Sequence, residues 1–334
     1  MHDGLKGTTT RSSSYLGSMT ISKASKIALV LLSFYLLVSF AAGKLLCDAT
    51  LHPARKHLTS DDRNFAQSMA ARQDAKLEDV SLKAFDGMTL RAWLVIPAST
   101  NGSVVILLHG LSDNRTGMIG YAELLLKHGY TVLMPDARAH GESEGSLATY
   151  GLLERNDIRN WFGWLQKTIR PTCIDGFGES MGAAQVLQAA ETELDFCAIA
   201  AESSFSSFRE IAYDRVGQFF HTGPWLGRSL LHLTIDAAFW WGRREYHLDL
   251  QEVSPQNAVA HSKVPILLIH GTADDNIPFR HAGLIAAQYE HVLVWAVAGA
   301  NHCGAVSVAA DFEPRLVRWL SAHGKNAWYA AARD

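Results

Sequence analysis

The stretch of this sequence best suited to chemistry is a serine between two glycines, GESMG at residues 178–182. It follows CIDGF, which begins with a predicted strand, and runs into AAQVLQAAE, which is typical of a helix. Glycines relieve crowding around a serine on a sharp, strained strand-to-helix turn, which exposes its hydroxyl at the edge of a sheet. The pattern therefore predicts that Ser180 is a nucleophile.

The same glycines could instead hold a phosphate group. A dinucleotide fingerprint needs GxGxxG at the first strand-to-helix turn. Gly176 and Gly178 fit, but Met181 occupies the third glycine position, and Gly182 comes one residue late. No GK[ST] follows either, which excludes a Walker loop. We therefore predict no nucleotide and no other cofactor.

A serine hydroxyl is a weak nucleophile at neutral pH, so a histidine must take its proton and a carboxylate must orient that histidine. Both should follow the serine, at the ends of later strands. The apolar run LLIHGTADD ends with Asp274 and Asp275, and His302 follows the last run, in ANHCGA. HGxxD spacing favours Asp274 as the acid and leaves Asp275 as a turn cap. Asp136 also ends a strand-like run, but it precedes the serine.

Three further histidines stand beside glycine at the ends of apolar runs: His109, His140 and His270. We interpret them as structural residues of turns. They share no metal-ligand spacing, and the sequence contains no HExxH. No metal is predicted.

Taken in order, these motifs resemble the α/β-hydrolase superfamily. The stretches HGLSDNR, DARAHGESEG, GESMG, HGTAD and NHCG are spread over about residues 80–323, and their pattern is most similar to bacterial serine hydrolases of the Bem46-like type. The resemblance implies an α/β fold with a mostly parallel, doubly wound sheet. It implies that Ser180 is the nucleophile, Asp274 the orienting acid and His302 the general base.

Negative charge that develops on the substrate oxygen would need two backbone N–H donors. We expect these to be Met181, at the start of the helix after the serine, and Leu111, after HG in LLHGLSD. The stretch is HGL, so the site lacks the HGGG loop of some esterases. Serine at the turn argues against the dehalogenase branch.

The expected reaction is hydrolysis of a carboxylic ester, of the carboxylesterase type, through an acyl-enzyme on Ser180. The same triad could cleave amides or peptides or pass the acyl group to another acceptor. A hydrolase-like protein that only binds ligands is a hypothesis of another class. The expected partner is a small-molecule ester or lipid, with no nucleic acid, because the formal charge is −3 and no long basic run follows the N-terminal region.

The elements that must position these residues can be predicted from hydrophobic patterning. VSLKAFDGMTLRAWLVIP alternates around Asp86 and Gly87 and predicts an antiparallel hairpin. Before it, LTSDDRNFAQSMAARQ predicts a helix capped by Ser60 or Asp61. Six short apolar runs predict buried, mostly parallel strands: SVVILLHG, TVLMPDAR, CIDGFG, CAIAAES, VPILLIHG and VLVWAVAG. The helices between them are predicted at residues 121–128, 156–166, 181–191, 278–289 and 309–323.

One interval, about residues 205–262, is too long for a connecting loop and is predicted to form an inserted helical cap within a hydrolase domain at 60–334. It is either a substrate lid or a set of helices packed on the sheet. Its aromatic residues favour an apolar substrate or form the core of the cap: Phe219, Phe220, Trp225, Phe239, Trp240 and Trp241.

The N-terminus has a different character. Residues 1–26 are polar, and residues 27–43 carry no charge. The length of this uncharged run is at the short limit for a membrane-spanning helix. We expect residues 27–46 to be a signal anchor that holds the catalytic domain outside the cytoplasm. If translation starts at Met19 rather than Met1, a cleaved signal peptide and a secreted or periplasmic protein are the alternative.

The four cysteines are scattered singly, at Cys47, Cys173, Cys197 and Cys303. They form no CxxC pair, and we expect no disulfide framework. Cys173 and Cys197 are interpreted as isolated thiols in or near the core.

Overall fold

A computed structural model describes residues 22–192, 194–286 and 289–324 of the chain. Most of the polar segment predicted at residues 1–26, including both candidate starts, lies outside the described residues. The last ten residues of the predicted 60–334 domain lie outside them as well.

The core of the protein is an eight-stranded sheet with the strand order β1-β2-β4-β3-β5-β6-β7-β8. β1 pairs antiparallel with β2 as the predicted hairpin, β2 pairs antiparallel with β4, and all other pairs are parallel. All six apolar runs form strands. The strands are β1 (Ala75–Lys83), β2 (Thr89–Pro97), β3 (Ser103–Leu108), β4 (Thr131–Pro135), β5 (Cys173–Glu179), β6 (Ile199–Glu202), β7 (Ile266–Gly271) and β8 (Val292–Val297).

The central strands are mostly apolar because both faces of the sheet are covered by helices. In β3, Val105 and Leu107 belong to one hydrophobic cluster, and Val104 and Ile106 belong to the other. Successive side chains of a strand point to opposite faces, so one continuous run fills both cores. The α/β-hydrolase architecture expected from the sequence is therefore present.

All five helices predicted between the strands form, with shifted ends. The helices are α1 (Lys23–Leu51), α2 (Ser60–Arg72), α3 (Ile119–Leu126), α4 (Glu154–Thr168), α5 (Met181–Ala189), α6 (Phe208–Phe219), α7 (Trp225–Arg228), α8 (His232–Tyr246), α9 (Pro255–Ala260), α10 (Arg280–Ala286), α11 (Ala305–Val308) and α12 (Phe312–Ala322). Short 3-10 helices lie at Arg115–Met118 and Leu250–Glu252.

The sequence prediction named the wrong residue as the N-terminal cap of α2. Thr59, rather than Ser60 or Asp61, caps the helix, and its hydroxyl accepts a hydrogen bond from the backbone N–H of Asp62. The Asp62 side chain accepts in return from the backbone N–H of Thr59 at 2.8 Å. This reciprocal pair is a capping box, which satisfies two N–H groups at once.

The apolar N-terminal segment is part of α1, which extends beyond the predicted 27–46. This helix is long and apolar enough to cross a membrane, by length and composition. Its end is nevertheless built into the body, because Cys47 and Leu51 are buried and the backbone N–H of Ala148 donates to the Leu51 carbonyl. A side chain at Gly43 would overlap Ala237 of α8, so glycine allows these two helices to approach closely.

Four helices, α6 to α9, occupy the chain between β6 and β7, where the inserted cap was predicted. We call this stretch, residues 203–265, the β6–β7 segment. Its buried side chains Phe205, Ile235 and Phe239 share a third hydrophobic cluster with Cys47 and Leu51 of α1. The segment therefore packs against α1 as well as against the body.

Cys173 and Cys197 are joined in a disulfide, so the prediction of isolated thiols was wrong. Cys173 begins β5 and Cys197 lies two residues before β6, and the parallel pairing of these strands brings the two Cα atoms to 5.9 Å. The sequence gives no local sign of this, because the pair is 24 residues apart. Cys47 and Cys303 are free thiols.

Between these cysteines, Asp175 of β5 places a carboxyl group in the interior. Neither of its oxygens has a hydrogen-bond partner of ordinary geometry within the described part of the chain. Burial raises the pKa of Asp175 to about 8, and the backbone of Ala198 offsets only part of this effect. A buried carboxyl group without partners is more stable protonated.

Asp175→Asn should flatten the pH dependence of stability. An aspartate in the unfolded chain titrates near pH ~3.9, so from about pH 4 to pH 8 the folded wild type holds a proton that the unfolded chain has lost. Its free energy of unfolding therefore falls with rising pH by up to about 1.4 kcal/mol per unit from this group. Asparagine cannot titrate, so the variant should gain stability relative to the wild type between pH 5 and pH 8.

Urea unfolding of both proteins at pH 5, 6.5 and 8 measures this difference. Asp275→Asn, a change at an exposed aspartate in a loop, is the control and should keep the wild-type slope. Equal slopes for the wild type and Asp175→Asn would contradict the prediction.

Candidate active site

Ser180 lies at the turn between β5 and α5 and has a left-handed backbone, with φ 53° and ψ −114°. Such a conformation costs a non-glycine residue on the order of 1–3 kcal/mol. Its backbone N–H donates to the Glu202 carbonyl at 2.9 Å, which ties the turn to β6. The neighbouring strand thus holds the serine in its strained position.

The two glycines around Ser180 are required by close backbone contacts. A side chain at Gly178 would overlap the backbone of Gly182, and a side chain at Gly182 would overlap the Leu108 carbonyl of β3. Both glycines have ordinary φ values. Glycine is therefore required here because there is no space for a side chain, and not because the backbone needs a special conformation. The turn prediction likewise assumed that the glycines relieve crowding.

The structure brings Ser180, His302 and Asp274 together although 94 residues separate the serine from the aspartate. The Nε2 atom of His302 lies 2.9 Å from Ser180 Oγ, and its Nδ1 atom lies 2.9 Å from Asp274 Oδ2. With Nδ1 protonated, the ring donates to the carboxylate and accepts from the serine hydroxyl. This is the relative geometry that proton transfer from a serine requires.

Asp274 is fixed in place by its own loop. Its Oδ1 atom accepts hydrogen bonds from the backbone N–H groups of Asn276 at 3.0 Å and Ile277 at 2.8 Å. Burial opposes its charged form, but hydrogen bonds from His302 and Ile277 hold the pKa of Asp274 below its usual value. Asp274 therefore caps the turn as well, a role that the sequence analysis gave to Asp275, which is exposed.

The three histidines interpreted as structural residues of turns contact backbone carbonyls. His109, His140 and His270 are buried and hydrogen-bond to the carbonyls of Gly110, Arg138 and Ile277 respectively. Burial lowers the pKa of all three, that of His109 to about 4. They are neutral parts of turns at physiological pH.

Asp136, the other candidate acid, takes no part in the serine site. Its carboxylate is buried and pairs with the guanidinium of Arg115, and it also accepts from the Glu142 backbone N–H at 2.7 Å. These bonds join the loop after β3 to the loop after β4. Its role is structural.

Of the two predicted donors, Met181 follows the serine directly, and Leu111 follows a residue that lies close to it in space. Met181 is the first residue of α5, and Leu111 follows Gly110. A Cβ atom placed on Gly110 would lie 3.6 Å from the Cβ atom of Ser180. Neither N–H donates a hydrogen bond to any residue that the structure describes. Both N–H groups are therefore unused by the described part of the chain.

Sequence reasoning missed two residues that position the histidine loop. Glu202 accepts from the backbone N–H of Ala305 at 2.9 Å and from the Tyr121 hydroxyl at 3.0 Å. Ser203 accepts from the backbone N–H of Cys303 at 3.2 Å and has φ 55°. The available signal was the pair of polar residues directly after the apolar letters AIAA.

Glu179, inside the serine motif, faces Glu202 across the sheet register. Burial raises the pKa of Glu179 to about 7, and the charges of Glu202 and Asp113 add to the effect. Burial raises the pKa of Glu202 as well. A half-buried and a buried carboxyl group therefore lie side by side where β5 and β6 end, and each keeps its proton to a higher pH than usual.

A second serine–histidine–aspartate arrangement joins the β6–β7 segment to α10. His281 lies 2.9 Å from Ser206 Oγ and 2.7 Å from Asp214 Oδ2. All three residues are buried, and Asp214 also pairs with Arg280. This cluster clamps α6 to α10 and offers no access to a substrate.

Among the described residues, Cys173, Asp175 and Cys197 have donor atoms close enough to hold a metal ion. The disulfide occupies both sulfur atoms, and a metal needs free thiolates. The group does not fit a metal in this state.

Comparison with known proteins agrees with the architecture. A family model described as the alpha/beta hydrolase family matches residues 105–315. The Bacillus subtilis protein YqkD, described as uncharacterized, is 31% identical over 197 residues, which are 58% of this chain and 61% of that protein. Escherichia coli YfhR is 28% identical over 219 residues, 61% of this chain and 66% of its own. The matches thus cover less than two thirds of these relatives.

Solved structures show the same fold. The Pyrococcus furiosus esterase Pf2001 superposes with a TM-score of 0.64 at 23% identity, over 82% of this chain and 100% of that chain. A 2,6-dihydroxy-pseudo-oxynicotine hydrolase gives a TM-score of 0.60 at 17% identity, over 79% of this chain and 73% of that one. At these identities the likeness concerns the fold.

The contact between α5 and β3 can be tested with a matched pair of glycines. Gly182→Ala places a methyl group against the Leu108 and His109 backbone and should cost about 1–3 kcal/mol or more by overpacking. Gly283→Ala, in α10, meets open space and should gain about 0.5–1 kcal/mol because alanine favours helix. Thermal unfolding should therefore show opposite shifts, and equal melting temperatures would contradict the proposed contact.

Proposed function

Because this chain belongs to the alpha/beta hydrolase family, we propose that it is a serine hydrolase of the carboxylesterase type, which cleaves carboxylic esters through an acyl-enzyme on Ser180. The observation that carries the proposal is the hydrogen-bonded series from Ser180 through His302 to Asp274, with both contacts of His302 at 2.9 Å. The series lies at the carboxyl ends of β5, β7 and β8, where open α/β sheets bind their ligands.

In the first step His302 takes the proton of Ser180 through Nε2 while the serine oxygen attacks the ester carbonyl. Asp274 stays charged, since its pKa is below the usual range, and stabilises the imidazolium through Nδ1–H. The negative oxygen of the intermediate accepts from the N–H groups of Leu111 and Met181. The N-terminus of α5 adds a favourable dipole at that oxygen.

In the second step His302 returns its proton to the leaving alcohol, and the ester bond to that alcohol breaks. Water then enters, gives a proton to His302 and attacks the acyl group on Ser180. The acid leaves and the serine regains its proton. This sequence needs no cofactor.

The β6–β7 segment is proposed to act as a cap over this site. Gln218, near the end of α6, donates to the carbonyls of Asp275 and Asn276 in the loop that carries the acid. Of the six aromatic residues noted in the sequence, Phe239 is buried and Trp241 is half-buried, which fits a cap core. The other four are exposed and available to an apolar acyl or alcohol group: Phe219, Phe220, Trp225 and Trp240.

Helix α1 is proposed to anchor the chain to a membrane, with the catalytic body outside the cytoplasm. Its length and apolar composition support the anchor. Its packed second half, which contributes Cys47 and Leu51 to a buried cluster, supports retention of the helix over cleavage of a signal peptide.

The full chain in detergent should react covalently with a fluorophosphonate probe and hydrolyse p-nitrophenyl esters. Ser180→Ala removes the nucleophile, so labelling should vanish and kcat should fall by about 10⁴-fold or more. Ser206→Ala is the matched control, because Ser206 has the same kinds of partner but is buried. It should keep the label. The chain lengths of the ester series rank the acyl preference.

Two outcomes would contradict the proposal. If folded wild type neither reacts with the probe nor hydrolyses any ester, the chain is a binding protein with the hydrolase fold. If Ser180→Ala still reacts while Ser206→Ala does not, the nucleophile has been assigned to the wrong serine.

A further inference from the structure

Helix α1 consists of a free part and a packed part. Residues 22–34 are exposed on every side, while Tyr35 is half-buried and Ser39, Gly43 and Cys47 are buried. The free part, residues 23–34, is about 18 Å long at 1.5 Å per residue, against a hydrocarbon thickness of about 30 Å. It is too short to cross a bilayer without the packed part.

The packed part of α1 runs parallel to α8. The Tyr35 hydroxyl bonds to the Leu230 carbonyl before α8 begins, and Phe40 lies with its ring centroid 5.1 Å from Trp240. Farther along, Lys44 pairs with Glu245 at 2.9 Å. Beyond their aromatic contact both helices become charged at the same level, as two neighbouring helices at one membrane boundary require, and α8 carries one earlier ion pair, between His232 and Asp236.

The β6–β7 segment exposes large apolar side chains at its contact with α1 and on the neighbouring helices α6 and α7. Phe219 is 77% exposed and Trp225 is 61% exposed. We call the set the apolar face: Phe219, Phe220, Trp225, Leu230, Leu233 and Trp240. A cluster of this kind on a soluble surface marks an interaction site.

We propose that the apolar face docks in a lipid bilayer together with α1. Any position that places the apolar part of α1 in lipid also places Leu230, Leu233 and Trp240 there, because these residues lie against residues 33–40 of α1. An open groove of about 530 Å³ between the helices, lined by Leu36, Phe40 and Leu233 among others, continues the same surface. The face is thus continuous with the anchor.

A bilayer is favoured over a second copy of the chain as the occupant. Within the free part of α1, the residues from Ile27 to Phe34 are apolar apart from Ser33, and every large side chain among them is exposed. A helix that is apolar on all sides matches a surrounding solvent of lipid, whereas a protein partner would need only one apolar side. The charges at Lys44 and Glu245 then lie at the level of the headgroups.

Docking brings the proposed active site close to the lipid. Gln218 precedes Phe219 and bonds to the loop of Asp274, so the end of α6 joins the apolar face to the site. An ester held in the membrane could pass from lipid to Ser180 without entering water. This statement about the substrate, a membrane-borne acyl ester, depends on the proposed function, whereas the docking itself does not.

The test measures depth rather than activity. Phe219→Cys and Trp225→Cys variants of the full chain carry an environment-sensitive fluorophore in vesicles of phosphatidylcholine and phosphatidylglycerol. Leu293→Cys is the matched control, because Leu293 is 54% exposed at the start of β8, at the opposite end of the strands from the site. Wild type treated with the same fluorophore measures the background labelling of the native thiols, Cys47 and Cys303. All three substitutions lie at exposed side chains, which limits the effect on folding.

We expect the two probes on the apolar face to shift to shorter wavelength and to lose most of their emission to lipids with a quencher on the acyl chain, while the control keeps its emission. Probes as insensitive to the quencher as the control would overturn the proposal and leave α1 as a simple tether. A wavelength shift that lipid quenchers do not affect would indicate a second copy and would also overturn it. Ester hydrolysis by the unsubstituted wild type is followed in parallel, so quenching of the variants without turnover by the wild type contradicts only the proposed function.

Discussion

The close contact between the serine turn and its two neighbouring strands is the constraint on which the site depends. The Ser180 N–H is bonded to the Glu202 carbonyl of β6, and Gly182 lies against the Leu108 carbonyl of β3. The turn is therefore held from both sides by elements of the buried sheet. The left-handed backbone of the serine persists because folding of the sheet compensates its cost.

The same sheet edge also sets the position of the histidine. The loop after β8 carries His302, and it is held by side chains from the end of β6 and by the carboxylate of the loop after β7. Parallel strands end at one edge, so three loops distant in sequence meet there. The pairing of distant strands thus sets the 2.9 Å distances from His302 to Ser180 and to Asp274, although the three residues lie in separate loops.

The sequence predicted what local patterning controls. Six short apolar runs predicted β3 to β8, and the alternating segment around Asp86 and Gly87 predicted the hairpin of β1 and β2. GxSxG, HGxxD and a late histidine predicted the three residues that the structure brings together. Three features could not be predicted in this way. The Cys173–Cys197 link depends on the pairing of β5 with β6, and the support of His302 by Glu202 depends on contacts across the sheet. The packing of α1 on α8 depends on tertiary contacts at Gly43, whereas composition shows only an apolar helix.

The link between Cys173 and Cys197 has a consequence for where the chain can mature. Closing a loop of 24 residues removes conformational freedom from the unfolded state and stabilises the fold by about 3 kcal/mol in the chain-entropy model. Such links persist in oxidising compartments and are rare in reducing ones. A chain that folds in a reducing cytosol would have two thiols beside the unpaired carboxyl group of Asp175. The full stability of this sheet therefore belongs to the oxidised protein.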